Sequence, residues 1–302
     1  MSCIKASVML AALPVVELIL KKLLSTILLC GLLITSLTGY ACELADQHCV
    51  PQRSWQIAVA VGAGVKLNPL YGGDNIPLVV LPDIAWYGES AYFDNGELGY
   101  QWIQDNPLSL ETFVAVNTEK AYFSFWHPAN VLFSNMELSS SFSPSQEPKR
   151  RVDFDDAAHR DWALDAGLRA HWITRSGEWR LAVLTDVTNT YNGQHLDVNY
   201  QHAWQINQWT LSTTLGLQWK SRQLLNYYYG LGDRDNVGDG FQYQAGSGWF
   251  PSIGLLARRP ISERWSWIMR ANYQHLPESM RNSPLVERNN VVSGFIGAAY
   301  QF

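Results

Sequence analysis

The residues of this chain that could support catalysis are its seven histidines and the serines and acids around them. A serine hydrolase needs a nucleophilic hydroxyl beside a histidine that a third group orients. The sequence contains no Gly-x-Ser-x-Gly elbow and no His-Glu-x-x-His zinc helix. Because these motifs are missing, the sequence predicts a protein that is not an enzyme.

Two histidines, His171 and His195, fall on the polar faces of segments in which apolar and polar residues alternate. They could meet acids in an active site, or they could belong to a structural network of hydrogen bonds and ion pairs. We favour the network, because enclosed charges are stable only when they are paired. Five charges are predicted to face the interior: Asp165, Arg169, Arg180, Asp186 and Arg270.

A polar loop beginning at Asp233 loosely resembles a calcium-binding loop, since oxygen-rich side chains follow one another at short spacing. The acidic residue that such a loop needs twelve positions after its first ligand is replaced here by Ala245. We therefore expect a hydrated loop, with no metal and no cofactor.

The N-terminal residues have the pattern of a secretory signal peptide. A basic pair precedes an apolar run over residues 23–37, and Gly39 and Ala41 occupy the −3 and −1 positions of a cleavage site. We expect residues 1–41 to be removed, with residues 1–20 reflecting an over-extended translation start. A retained N-terminal membrane anchor is the alternative.

Two cysteines, Cys42 and Cys49, follow the predicted cleavage site. In an exported chain, two cysteines so close together most simply form a disulfide. The alternative for Cys42 is attachment of a lipid, but Gly39 and Tyr40 make a poor lipoprotein signal.

The composition after residue 41 favours a transmembrane β-barrel. The chain has 13 Trp, 14 Tyr and 11 Phe but only 16% charged residues, and its apolar residues are dispersed by alternation rather than collected into a membrane helix. A soluble exported β-sandwich or lipocalin-like barrel would also alternate, but its outward face would be polar. The net charge of −5 indicates no nucleic-acid partner.

The clearest alternating segment runs from Trp209 to Trp219. Leu215 lies on its apolar face, which ends in a tryptophan on both sides, and Thr214 lies on the polar face. Aromatic residues at both ends of an apolar face are typical of the two membrane–water interfaces. We therefore predict that Leu215 faces lipid and Thr214 faces the lumen.

The whole pattern predicts an all-β, antiparallel up-and-down barrel of twelve strands over residues 54–302, preceded by a short periplasmic segment, 42–53; ten or fourteen strands are the alternatives. The predicted strands lie near residues 55–66, 78–87, 90–103, 108–117, 132–142, 161–174, 177–189, 194–205, 208–221, 249–259, 263–275 and 291–302. Tight turns alternate with long polar links. This asymmetry is typical of outer-membrane barrels, in which the periplasmic turns are short and the outward loops are long. Between residues 104 and 142 this order is reversed, because the short link 104–107 stands where a long one is expected and the longer link 118–131 stands where a short one is expected.

Glycine, proline and asparagine mark turns and close approaches. Gly62 and Gly64 fall on the lumen face of the first strand, where a missing side chain allows tight curvature. Asp94-Asn95-Gly96 has the chemistry of a hairpin turn, and Pro82 indicates an edge or a bulge. These features predict architecture rather than a binding loop.

The last segment, 291–302, alternates and ends in an aromatic residue. It looks like the terminal strand of a bacterial outer-membrane barrel. In such barrels the terminal aromatic strand resembles the signal that the barrel-assembly machinery binds. We therefore expect Tyr300 and Phe302 to form that signal.

Four blocks of this sequence form an ordered set of motifs: Val61-Gly-Ala-Gly-Val-Lys-Leu-Asn-Pro-Leu-Tyr-Gly-Gly-Asp74, Tyr227-Tyr-Tyr-Gly230, Asn282-Ser-Pro-Leu-Val286 and the ending Gly297-Ala-Ala-Tyr-Gln-Phe302. Together these blocks resemble the MipA/OmpV family of outer-membrane proteins. The residues that match the family motifs are Gly62, Gly64, Pro69, Tyr71, Gly73, Asp74, Tyr227, Tyr228, Tyr229, Gly230, Ser283 and Pro284.

The resemblance implies an outer-membrane location and, from one member, a scaffold that links a murein transglycosylase to a peptidoglycan synthase in cell-wall remodelling. The further partners we expect are outer-membrane lipid, lipopolysaccharide and the barrel-assembly machinery. Two other functions stay open, a small channel or porin and a surface adhesin or antigen. In the adhesin hypothesis the aromatics of 227–229 and 249–250 are exposed for recognition, but we favour an outer aromatic girdle for them.

Overall fold

The computed structural model describes residues 53–105, 107–124, 127–132, 151–235 and 237–302. Its strands are β1 (Ser54–Lys66), β2 (Ile76–Tyr87), β3 (Ala91–Asp94), β4 (Glu97–Asp105), β5 (Leu108–Val116), β6 (Leu164–Thr174), β7 (Gly177–Asp186), β8 (Gln194–Ile206), β9 (Trp209–Lys220), β10 (Gly248–Pro260), β11 (Trp265–His275) and β12 (Asn290–Gln301). Its helices are α1 (Pro128–Val131), α2 (Arg222–Tyr229) and α3 (Glu278–Arg281), with 3₁₀ turns at Thr118–Tyr122, Phe154–Asp156, Asp233–Asp235 and Asp239–Phe241. Within the described ranges, no helix is both long enough and apolar enough to cross a membrane.

The twelve strands form a closed antiparallel barrel in which each strand pairs with its neighbours in sequence. β1 closes the barrel against β12, in a register that runs from Ala58 opposite Gln301 to Lys66 opposite Ser293. Closure pairs the first and last strands, so the sheet has no free edge strand. The predicted all-β barrel of twelve strands is confirmed.

The two faces of the wall differ as alternation requires. Leu215 is 50% exposed on the outside, whereas Thr214 lines the interior. The outward face carries exposed tryptophans near both ends of the barrel, such as Trp55 and Trp265 at one end and Trp162 and Trp249 at the other. This is the arrangement of an apolar band between two aromatic girdles.

The two ends of the barrel also differ. One end, which we call the turn end, contains the start of β1 and the end of β12. It also contains five short links: residues 88–90, 106–107, 175–176, 207–208 and 261–264. Longer links lie at the opposite, loop end: residues 67–75, 117–163, 187–193, 221–247 and 276–289. The swapped lengths expected around residues 104–142 do not occur, because an additional hairpin between β3 and β4 brings the end of β4 to the turn end and the end of β5 to the loop end.

Two of the predicted strands differ from the structure. The segment predicted as one strand near 90–103 is a hairpin of β3 and β4, because Asn95 and Gly96 adopt φ values of 47° and 93° and reverse the chain. β5 pairs directly with β6, so no strand near 132–142 lies between them. Apart from Leu132, the segment 132–142 lies outside the described residues.

Glycines permit the close approach of β1 and β12. A Cβ on Gly62 would lie 2.1 Å from the carbonyl oxygen of Ile296, and one on Gly297 would lie 2.4 Å from that of Val61. The pairing of β1 with β2 shifts register between Val61 and Gly64. At Gly62 and Gly297, a side chain is therefore excluded by backbone atoms, which cannot move aside cheaply.

Candidate functional site

The lumen contains a cavity of about 880 Å³. Its lining extends from turn-end residues such as Gln56, Arg264 and Gln301 to Thr118 and His127 below the loop-end links. Such a volume is within the range of small-molecule pockets. The cavity is therefore the candidate site for any function performed inside the barrel.

A group of paired charges in the cavity surrounds Arg169. Its Nη2 lies 2.6 Å from Oε2 of Glu97, and its Nη1 lies 2.8 Å from Oε1 of Glu111. The guanidinium also stacks over the Phe113 ring, 3.8 Å from the centroid. These contacts join β4, β5 and β6 and neutralise the arginine, so they stabilise the wall of the barrel.

His171 belongs to the same group of charges. Its Nδ1 lies 2.7 Å from Oε1 of Glu178, and its Nε2 lies 3.2 Å from Oε1 of Glu111. Arg180 reaches Glu178 at 3.6 Å. Both ring nitrogens thus face carboxylates, which leaves neither of them free to activate a nucleophile.

The five charges that the sequence places inside occupy three different environments. Arg169, Arg180 and Arg270 line the cavity. Asp165 lies deeper, where it accepts hydrogen bonds from the Tyr191 hydroxyl and from Asn117 Nδ2 at 2.6 Å. Asp186 stands opposite Asp165 in the strand register, but its carboxylate binds backbone N–H groups of the 187–193 link.

Sequence reasoning missed the acids that hold this network together. Glu97 and Glu111 stand at lumen-facing positions of β4 and β5, and Glu178 starts the lumen face of β7. Alternation in β5 and β7 was a usable signal for Glu111 and Glu178. The lumen-facing position of Glu97 could not be predicted, because the predicted strand near 90–103 runs through the hairpin at Asn95.

The loop-end links pack into one hydrophobic core, which we call the outer cap. Phe250 and Val291, on the lumen side of β10 and β12, belong to this core, so the cap fills the loop end of the barrel from within. Its buried residues are Leu70, Val152, Ala163, Tyr191, Leu224, Leu225, Tyr228, Tyr229, Leu231, Ala245, Phe250, Leu276, Met280, Leu285, Val286 and Val291.

The outer cap contains a fully buried ion pair. Arg160 Nη1 lies 2.8 Å from Oδ1 of Asp235, and neither side chain is exposed to solvent. The remaining guanidinium donors bind the carbonyl oxygens of Tyr228 and Gly230 at 3.1 and 3.0 Å. Burial raises the pKa of Asp235, but hydrogen bonds from Gly232 and Arg160 outweigh it, so the pKa is below its ordinary value.

A second buried pair ties the cap to the barrel wall. Lys220, at the end of β9, places Nζ 2.6 Å from Oε1 of Glu119, and the Tyr229 hydroxyl donates to the same carboxylate. Burial raises the pKa of Glu119, but Lys220 and Tyr229 outweigh it and hold that pKa below its ordinary value. Burial and Glu119 raise the pKa of Tyr229, so its hydroxyl keeps the proton it donates.

His127 lies between the cap and the cavity. Its Nδ1 accepts a hydrogen bond from the backbone N–H of Ala129 at 3.1 Å, which caps α1, and its ring stacks on Trp162 at 4.9 Å between centroids. Burial and the nearby Lys66 lower the pKa of His127 to about 4. The neutral imidazole is the form that can accept this bond.

The family-motif residues from distant parts of the chain meet in the cap. Ser283 Oγ donates to the carbonyl oxygen of Tyr229 at 2.6 Å, and the carbonyl oxygen of Pro284 accepts from the N–H of Val152 at 3.1 Å. The 67–75 link joins them, since the N–H of Tyr71 binds the carbonyl oxygen of Leu285 at 2.8 Å. Pro69 and Gly230 also accept bonds there through their carbonyl oxygens, Gly73 packs on Asn68, and Asp74 is exposed.

The interpretation of the aromatics at 227–229 and 249–250 needs correction. Tyr228, Tyr229 and Phe250 are neither exposed nor part of a girdle, because they form the centre of the cap core. Only Trp249 lies on the outward face, and Tyr227 is half-buried, with its hydroxyl accepting from the N–H of Asp161. Local sequence could not distinguish an aromatic that faces lipid from one that fills the barrel mouth.

The remaining sequence-predicted residues lie at the chain ends. Tyr300 is on the outer face, where its ring packs against Trp265 and Phe302 at centroid distances of 5.0 and 4.9 Å. The N–H of Phe302 donates to the carbonyl oxygen of Ile57 at 3.0 Å. Cys42, Cys49 and the predicted signal peptide lie outside the described residues. No group of metal-binding side chains occurs among the residues that the structure describes.

Comparison with known proteins gives a consistent family. The family model described as MltA-interacting protein MipA matches residues 61–302. The chain is 25% identical over 254 residues to the putative outer membrane protein YiaT of Escherichia coli K12, covering 82% of this chain and 91% of that protein. It is 26% identical over 260 residues to the MltA-interacting protein of the same strain, covering 86% and 95%. Among solved structures, it is similar to the translocator domain of the autotransporter NalP from Neisseria meningitidis, with a TM-score of 0.38, 10% identity and coverage of 85% and 90%.

Proposed function

We propose, from the premise that this chain belongs to the MltA-interacting protein MipA family, that it is a non-enzymatic scaffold for cell-wall remodelling. The protein is an outer-membrane β-barrel, and several of its relatives are named as outer membrane proteins. One relative carries the name MltA-interacting protein. By that analogy, the partners of this chain are a periplasmic murein transglycosylase and a peptidoglycan synthase.

The observation that supports a scaffold best is the filled loop end. A cap core with fully buried residues occupies that end, while the cavity lining reaches the turn end. Outer-membrane barrels keep short turns in the periplasm and long loops outside. Periplasmic enzymes would therefore meet the turn end, and the cap would separate them from the outer surface.

The proposed docking surface consists of exposed residues in the short turns. Arg175, Asn207 and Ser262 mark the three turns between strands β6 to β11, and Ile261 is 53% exposed beside Ser262. Ile261 adds an apolar side chain that a docked partner could cover, within an otherwise polar set of turns. The scaffold hypothesis also uses the segment 42–53 with its proposed Cys42–Cys49 disulfide, which, apart from Arg53, lies outside the described residues.

Recovery of partners from crosslinked envelopes tests the scaffold. We expect Ile261→Asp and Arg175→Glu to reduce recovery of murein transglycosylases and synthases with the barrel. Arg222→Glu, which changes an exposed arginine at the loop end, is the matched control and should leave recovery intact. Reduced recovery with the control alone would reverse the proposed docking side.

A small channel is the second candidate, because the lumen holds a sizeable cavity lined by charged residues. For ions to pass, the outer cap would have to open. Steady conductance of the purified barrel in planar bilayers would favour the channel over the scaffold. An adhesin is the third candidate, and its recognition surface would have to use exposed cap residues, since Tyr228 and Tyr229 are buried.

A further inference from the structure

One wall of the lumen carries a row of neutral polar side chains on β8 to β11, with Asp197, Arg258 and Arg270 on the same strands. At one height, Gln201 of β8 stands opposite Thr214 of β9, Thr214 opposite Gly254 of β10, and Gly254 opposite Asn272 of β11. We define the polar belt as six residues that line the cavity at or near this height: Asn199, Gln201, Thr214, Gln218, Ser252 and Asn272.

The chemistry of the polar belt is that of hydroxyl recognition. Its four amides and two hydroxyls each offer hydrogen-bond donors and acceptors but carry no net charge. A ligand with many hydroxyl groups presents the same mixture of donors and acceptors. Charges beside the belt face charges of opposite sign, as Arg270 does with Asp83 and Arg180 with Glu178. The belt itself therefore matches a neutral ligand better than a charged one.

Two buried atoms beside the belt have no hydrogen-bond partner among the described residues. Asn272 is only 6% exposed, and its Nδ2 is one of these atoms. The other is Oδ1 of Asp197, which stands opposite Gln218. Buried polar atoms are nearly always bonded, so a donor and an acceptor left in a cavity wall are suited to bind an incoming molecule.

Gly254 leaves space at the centre of the belt. A Cβ there would lie 3.4 Å from Oδ1 of Asn272 and 3.7 Å from Cβ of Thr214, which are ordinary contacts. This differs from Gly62, where backbone atoms exclude any side chain. The missing side chain at 254 is therefore not needed for strand pairing, and its effect is to widen the lumen beside Asn272.

An apolar patch borders the belt on the side of the turn end, next to Gly254 on β10. On β11, Arg270 lies between Asn272 and this patch. Leu256 and Ile268 pack there with Leu81, Ala60 and Ala299, and all five line the cavity. Sugar rings have hydroxyl edges and apolar C–H faces. A polar belt beside an apolar patch fits such a ring on both counts.

We propose that the polar belt is a binding site for a neutral, hydroxyl-rich small molecule of the saccharide class, which reaches it from the turn end. The belt amides bind the hydroxyl groups of the ligand. Among these contacts, Asn272 Nδ2 donates a hydrogen bond, while the nearby Asp197 Oδ1 accepts one. The apolar patch contacts the face of the sugar ring. This site does not depend on the scaffold role, since it uses lumen residues that a docked enzyme would not touch.

Titration calorimetry of the purified, detergent-folded barrel tests the site. The neutral probes are N,N′-diacetylchitobiose and maltose, and the charged probes are glucuronic acid and glucosamine. We expect a neutral probe to bind, and Asn272→Leu to weaken its binding by about tenfold, because Leu keeps the branched shape of Asn but cannot form the hydrogen bond. Gly254→Leu should abolish binding by filling the belt.

Gly294→Leu is the matched control, because Gly294 has open space around it in β12 and does not line the cavity. The Gly294→Leu variant should bind the neutral probe with the same affinity as the unchanged protein. If Gly254→Leu does not fold, as judged by heat-modifiable mobility, Asn272→Leu decides. Absence of binding by both neutral probes, tighter binding of a charged probe, or affinity unchanged by Asn272→Leu would each overturn the proposal.

Discussion

Arg160 and Asp235, 75 residues apart in the sequence, form an ion pair with no solvent exposure, with Nη1 and Oδ1 2.8 Å apart. The pair joins the 117–163 and 221–247 links, which carry much of the cap core. Because the same guanidinium binds the carbonyl oxygens of Tyr228 and Gly230, it also holds the end of α2. The cap is thus a folded unit with its own polar interior.

The first prediction concerns this pair. Replacing Arg160 with Met should lower the free energy of unfolding of the cap by about 3–5 kcal/mol, because Asp235 would stay buried without its partner. Limited proteolysis of the 221–247 link in the folded barrel measures the effect. Arg151→Met is the control, because the Arg151–Glu287 pair is partly exposed and contributes about 0–1 kcal/mol. Equal protease resistance of the two variants would contradict the prediction.

The second prediction is a pH dependence that originates at His127. Its folded pKa, about 4, lies below the ordinary value of 6.5, so between these values the unfolded chain binds a proton that the folded chain does not. Its contribution to the stability of the cap is therefore complete above pH 6.5 and is lost as the pH falls toward 4.

His127→Asn isolates this contribution. Asparagine can accept the N–H of Ala129 and cap α1 but does not titrate. We expect protease sensitivity of the 117–163 link to rise less, between neutral and mildly acid pH, in His127→Asn than in the unchanged protein. Parallel pH profiles for the two proteins would assign the acid sensitivity to other groups, such as Glu119 and Asp235.

The third prediction tests the two faces of β9. Leu215→Arg should destabilise the barrel by about 2–4 kcal/mol, since it puts a charge on the lipid face. Thr214→Arg should have a smaller effect, because that side chain enters the water-accessible lumen. Urea unfolding in lipid vesicles ranks the two variants. The opposite ranking would show that the faces of the wall are assigned the wrong way round.

The fourth prediction concerns the seam between β1 and β12. Gly297→Ala should impair barrel closure, because its Cβ would lie 2.4 Å from the carbonyl oxygen of Val61. Gly294→Ala, in the same strand, should be tolerated, because nothing lies within 4 Å of its Cβ. Heat-modifiable mobility of the folded barrel separates the outcomes, and normal mobility of Gly297→Ala would show that the seam can widen.

The sequence alone predicted the wall of this protein. Alternation placed Leu215 outside and Thr214 inside, because a strand that separates lipid from water must change polarity at every residue. Alternating short and long links predicted the two ends of the barrel. The predicted number of twelve strands agrees with the structure because the division of 90–103 into β3 and β4 offsets the strand expected near 132–142. Local turn chemistry also contained the signal for the β3–β4 hairpin at Asn95, although the longer alternation concealed it.

Only the tertiary structure decided what fills the barrel. Tyr229, Ser283 and Glu119 lie far apart in the sequence but share one hydrogen-bonded cluster, and the polar belt takes its residues from four strands. No local period marks such partners, because their contacts form only when the closed wall brings the links and lumen faces together. The wall follows from a rule that repeats along each strand, whereas the cap and the belt depend on long-range packing.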